Sequence, residues 1–166
     1  MHRKAEQGFT IIEMMVTVAI IAIMVGIAIP SVLAWMPAAN LKDAAFDLRT
    51  AMIRARSLAV NEGIEYRVAF DVDAQTYTVD KGNLSSGSTA WTTVVGPHDL
   101  HTGIEYQSTS PEMEVTGSVH YIRFETDGGV LTNVDALNVV VVNSNADTYK
   151  VSVQRRTGHA DMTKGA

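Results

Sequence analysis

The sequence predicts an α+β protein: a long amino-terminal helix, membrane-spanning in its first half, packed on a mostly antiparallel β-sheet head. Three observations carry this. Residues 9–29 hold one charge, Glu13, in an otherwise apolar run. Residues 38–62 repeat apolar side chains at a helical period, and past Gly63 the period changes to two between Ser-, Gly-, Pro- and Thr-rich breaks. Outside the apolar run and its short preface roughly 130 residues remain, enough for one small domain and too few for two. The expected division is a leader at 1–8, a transmembrane helix at 9–29, a hinge with the amphipathic continuation of the helix at 30–62, and a β-rich head at 63–166.

The first eight residues carry Arg3 and Lys4 against Glu6 and contain no apolar core. They therefore lack the middle region of an ordinary signal peptide. At about 1.5 Å per residue the run that follows spans roughly 30 Å, the thickness of bilayer hydrocarbon. The basic preface should stay cytoplasmic and leave the head exported on the far side of the membrane.

Glu13 lies five residues into the run. A charge inside a bilayer is costly and marks a functional site by default, although a carboxylate this close to the end can also snorkel to the headgroups. An acid in the first turn also suits the helix dipole.

Pro30 ends the apolar run and Pro37 follows. Each removes a backbone hydrogen bond, so both are expected to kink or melt the helix as a hinge. Trp35 and Met36 suit either the outer membrane interface or packing on the head. Beyond them Leu41, Ala44, Ala45, Leu48, Met52, Ala55 and Ala59 share one face, which should pack on the sheet, and Gly63 supplies the stop. A narrower stripe of Phe46, Ile53 and Val60 reads either as a broadening of that core face or as a contact between subunits. Lys42, Asp43, Asp47, Arg49, Arg54 and Arg56 are expected to be solvated.

Tyr66, Val68 and Phe70 alternate with Arg67 and Ala69, and the turn at 71–75 leads into 77–81, which reads as a hairpin. Further strands are expected at 91–95, 104–107, 119–125, 137–142 and 148–154, with loops at 83–89, 96–103 and 108–117. The apolar run Val139–Val142 should be a central strand buried on both faces.

The composition excludes several chemistries. There is no cysteine, hence no disulfide framework and no thiolate metal site, and the net charge of −5 argues against a uniformly basic nucleic-acid binder. His98 and His101 have only Asp99 as an adjacent further ligand, so no metal site is expected. Asp71-x-Asp73-x-Gln75 and Asn143-x-Asn145-x-Asp147 alternate oxygen donors as a calcium loop does. Both lack the glycine and distal glutamate of an EF-hand and fit turns better, so calcium is a minor possibility and no cofactor is expected. No nucleophile elbow or Walker string occurs, and the chain reads as a non-enzyme.

Gly8-Phe9-Thr10-Ile11-Ile12-Glu13, between a short basic leader and a continuous apolar helix, resembles the prepilin cleavage and methylation motif of type IV pilins and type II secretion pseudopilins. Ile11 and Met14 stand where leucines are commoner. The resemblance implies that a prepilin peptidase cuts between Gly8 and Phe9 and methylates the new Phe9 amine. It also implies that Phe9, Thr10 and Glu13 serve assembly with other pilins, and that Pro30 is the helix-breaking proline of the family. Residues 38–158, with Ala55-Arg-Ser-Leu-Ala-Val60, Phe124-Glu-Thr-Asp-Gly128 and the ending Arg155-Arg-Thr-Gly158, are similar to the FimT/GspH minor pilins and pseudopilins. This implies a subunit of a type II secretion pseudopilus or type IV pilus. The alternative is DNA capture for natural transformation through Arg155 and Arg156, which the nearby Asp161 weakens.

Overall fold

The computed structural model describes residues 9–165; the leader, Gly8 included, lies outside them. One helix, α1, runs Ile11–Glu62 and is followed by nine strands: β1 (Tyr66–Asp71), β2 (Thr76–Gly82), β3 (Trp91–Asp99), β4 (Ile104–Thr109), β5 (Glu114–Thr116), β6 (Val119–Phe124), β7 (Ala136–Asn143), β8 (Thr148–Gln154) and β9 (Ala160–Lys164). The chain divides into two compact units, one ending at Met36 and one beginning at Pro37.

In the first unit every described residue is exposed, and the helix is long and apolar enough to cross a membrane. The local melting expected at Pro30 and Pro37 does not occur, because α1 is continuous through both. Proline costs a helix one hydrogen bond and a clash with the carbonyl four residues earlier.

In the second unit two antiparallel sheets, ordered β3-β2-β1-β6-β5 and β4-β7-β8-β9, stand where one sheet was expected. The helix face expected to be buried is buried in full, and Ala51 joins it. Four of its eight buried residues, Ala44, Ala45, Ala55 and Ala59, are fully or almost fully enclosed alanines, which let the backbone approach the sheets closely. Tyr66, Val68 and Phe70 of β1, Ile122 and Phe124 of β6, Val139 and Val141 of β7, and Val151 and Val153 of β8 complete one core. At roughly 1.5–3 kcal/mol per large apolar side chain, this core is the main source of the head's stability.

The expected hairpin of β1 and β2 forms, paired from Tyr66 opposite Lys81 to Asp71 opposite Thr76. β7 is central in its sheet but buried on one face only: Leu137, Val139 and Val141 point into the core while Val140 and Val142 are half-buried. The reason is that helix and first sheet together cover one side of the second sheet, so a run of four valines alternates like any half-covered strand.

β3 and β4 extend into residues expected as loop, and β5 and β9 form where none was expected. Both new strands are short and polar and owe their existence to β6 and β8 beside them. The turn into β9 needs Gly158, with φ of +57°; a Cβ there would strike the Gly128 carbonyl and the Arg56 side chain.

Candidate assembly site

Thr10 is the amino-terminal cap of α1. Its hydroxyl oxygen accepts the Glu13 backbone N–H at 3.2 Å, and its carbonyl accepts the Met14 N–H at 3.2 Å. Thr10-x-x-Glu13 is the spacing of a capping box, so the acid sits in the first turn at the positive end of the helix dipole. One turn further on, the Thr17 hydroxyl donates to the Glu13 carbonyl oxygen at 2.7 Å. The polar residues Thr10, Glu13 and Thr17 therefore line up along one side of an otherwise apolar cylinder. Beside them Phe9, Ile11, Met14, Met15, Val18, Ala19 and Ala22 line an open apolar hollow of about 560 Å³. Phe9, Thr10 and Glu13 are all exposed, and the Phe9 and Glu13 side chains have no hydrogen-bond partner among the described residues.

In the second unit Phe46, Ile53 and Val60 remain 52%, 42% and 48% exposed. At about 100° per residue they lie somewhat more than a third of a turn from the middle of the buried face, so the broader-core reading fails. Charged residues around them are less free than expected. The Arg49 guanidinium donates to the Ala160 carbonyl at 2.9 Å and that of Arg56 to the Gly128 carbonyl at 3.2 Å, so Arg49 ties α1 to β9 and Arg56 ties it to the turn between β6 and β7. Asp47 meets His101 Nε2 at 3.1 Å, and Asn40 donates to the Thr102 carbonyl. Lys42, Asp43 and Arg54 are exposed, as a solvated face requires.

Arg155 and Arg156 are exposed in the turn between β8 and β9. They border a polar cleft of about 280 Å³ that Glu125, Asp127 and Asp135 also line, so the potential around them is balanced and not that of a basic patch. His98 and His101 do not converge: the first stacks on Tyr77 at 5.5 Å between ring centroids, the second meets Asp47. Among the described residues no group of His, Asp and Glu is placed to hold a metal.

Both calcium-like strings are turns. Asp71 Oδ1 accepts from the Asp73 and Ala74 N–H groups and from the Ser118 hydroxyl, and Asn143 Oδ1 accepts from the Asn145 and Asp147 N–H groups. Left-handed residues at Gln75 and Ala146 close the two turns.

Sequence reasoning missed two polar clusters. Glu65 is buried, and its carboxylate accepts the N–H groups of Gly87 and Ser88 at 3.0 and 2.7 Å, which folds the β2–β3 loop onto the end of the helix. Arg67 pairs with Asp80 at 2.9 Å while lying over the rings of Trp91 and Tyr121 at 4.4 and 4.0 Å. The outward position of Arg67 in an alternating strand was visible beforehand; its two aromatic partners, on β3 and β6, were not.

The chain matches the prokaryotic N-terminal methylation motif over residues 3–29. Its fold is similar to that of the minor pseudopilin EpsH from the Type 2 Secretion System of Vibrio cholerae: 14% identity, a TM-score of 0.56, and 75% of this chain aligned with 97% of that one. It is likewise similar to the type IV minor pilin FimU of Pseudomonas aeruginosa: 18% identity, a TM-score of 0.54, and 74% of this chain aligned with 92% of that one. No curated protein matches the sequence. The likeness to the solved structures is one of fold, and that fold is type IV pilin-like.

Proposed function

We propose that the chain is a minor pilin or pseudopilin, a structural subunit of a type II secretion pseudopilus or a type IV pilus and not an enzyme. The observation that carries this is the methylation motif at residues 3–29, which overlaps the start of a helix that first could span a membrane and then packs on two antiparallel sheets. In this reading prepilin peptidase cuts between Gly8 and Phe9 and methylates Phe9. The subunit waits in the inner membrane with its head in the periplasm. It enters the filament when the Glu13 carboxylate meets the Phe9 amine of a neighbouring pilin or pseudopilin.

Two opposite charges that must both leave water repay their desolvation only as a pair. The exposed stripe of Phe46, Ile53 and Val60 supplies further contact area in the filament, and Pro30 and Pro37 serve as the points where the helix adjusts its path. Mass spectrometry of the mature amino terminus tests the reading. N-methyl-Phe9 is expected, and an intact Met1 overturns it.

DNA capture is a second reading, favoured by the exposure of the adjacent Arg155 and Arg156 and opposed by the three carboxylates beside them.

A further inference from the structure

We propose that Thr17 is a further residue of the assembly site: its hydroxyl oxygen accepts one N–H of the methylated amino terminus of the neighbouring subunit, while Glu13 accepts the other. The inference rests on the reading of Glu13 given above and extends it to a residue outside the methylation motif's cleavage string.

The argument starts from donor and acceptor accounting. A methylated terminal amine in its charged form carries two N–H groups. Inside hydrocarbon each needs a partner, because an unpaired polar group there costs several kcal/mol. The Thr17 hydroxyl has spent its only hydrogen on the Glu13 carbonyl at 2.7 Å. Its oxygen is therefore left as an acceptor alone, with two lone pairs.

Position supports the same assignment. Residues four apart on a helix stand about 5–6 Å from one another, so Glu13 and Thr17 can reach one small cation together. Both are exposed, and among residues 13–29 they are the only ones with side chains able to hydrogen-bond strongly. Thr10 lies on the same side one turn earlier, with its oxygen already accepting the Glu13 N–H. The acid is thus held between two threonines, one fixing its backbone N–H and the other its carbonyl. A cation that approaches the carboxylate from the carboxy-terminal side passes the Thr17 oxygen on the way.

A hydroxyl at this place adds direction to what the carboxylate supplies in charge. Glu13 alone attracts any cation from any side, whereas a second acceptor one turn along selects the approach that places both N–H groups. Thr17 is therefore a positioning residue, and its loss should weaken incorporation without affecting insertion or processing.

Three full-length variants expressed with the native assembly machinery test this: Thr17→Val, which keeps the shape and removes the hydroxyl, Thr17→Ser, which restores the hydroxyl, and Glu13→Gln. The amino terminus of the membrane pool is read by mass spectrometry, and the fraction recovered with sheared filaments is measured. Thr17→Val is expected to be cut and methylated normally yet to fall about tenfold in the filament fraction, the worth of one hydrogen bond to a charged group, with Thr17→Ser close to the parent. Normal incorporation of Thr17→Val beside a defective Glu13→Gln overturns the role of Thr17 alone. Normal incorporation of Glu13→Gln overturns the reading of Glu13 on which it rests. A Thr17→Val chain that is not cut, or a Thr17→Ser chain as defective as Thr17→Val, also overturns the proposal, since the side chain would then act in insertion or through its methyl group.

Discussion

The carboxylate of Glu65 accepts the backbone N–H of Ser88 at 2.7 Å in a site where Glu65 is only 1% exposed. Gly87 donates a second N–H at 3.0 Å, so a buried anion organises a loop that has few apolar contacts of its own. Burial pushes the Glu65 carboxyl up, and the hydrogen bonds from Ser88 and Gly87 outweigh it and hold the group below its ordinary value. A depressed folded-state value means that the contribution to stability is complete above about pH 4.5. It is lost as the pH falls through the folded value. Glu65→Gln should destabilise the head by about 1–3 kcal/mol at neutral pH, and its stability should fall less than that of the parent between pH 5 and 3. Chemical denaturation of the full chain in detergent at several pH values checks both; parallel acid profiles would refute the assignment.

The turn at Gly158 makes a separate stability prediction. Its φ of +57° and the close approach of the Gly128 carbonyl leave no room for a side chain. Gly158→Ala should lower the denaturation midpoint by the equivalent of about 1–3 kcal/mol. Gly63→Ala, with a similar φ but open surroundings, should cost less. Equal losses in the two variants would mean that backbone conformation and not the packing of β9 sets the effect.

Phe46, Ile53 and Val60 lie outside the buried core, so their replacement should leave folding largely alone. Ile53→Asp is expected to change stability by no more than about 0.5 kcal/mol while reducing recovery in the filament fraction. A native chain without cysteine allows a direct check by single cysteines. Phe46→Cys or Ile53→Cys should cross-link to neighbouring subunits, and Arg54→Cys, exposed but off the stripe, should do so less.

Arg155 and Arg156 can be tested for DNA contact by the salt dependence of binding. Neutralising one phosphate contact changes the slope of log K against log salt by about 0.9 on duplex DNA. With three carboxylates around the cleft, binding of the full chain in detergent is expected to be weak and to change little in Arg155→Ala/Arg156→Ala. A strong, salt-dependent interaction lost in the double variant would instead establish DNA capture.

Local pattern carried much of this protein. The buried side of α1 from Leu41 to Ala59, the hairpin of β1 and β2, and the strand at Thr148–Gln154 were all visible because each repeats with the period of its own element. β5 and β9 were not visible: three and five mostly polar residues become strands only beside a partner strand. Arg49 and Arg56 misled for a related reason. Their charge predicted solvent, but the carbonyls that engage them belong to residues 111 and 72 positions away.

By itself, the sequence determined the membrane-length helix, its single acid and the change of period that starts the sheet region, since all depend on neighbours within a few turns. Only the tertiary structure decided that there are two sheets, that β7 is covered on one side, that Glu65 is a buried loop anchor, and that the Phe46, Ile53 and Val60 stripe faces away from the core. Those outcomes depend on which surfaces remain uncovered after distant segments pair and bury their apolar area.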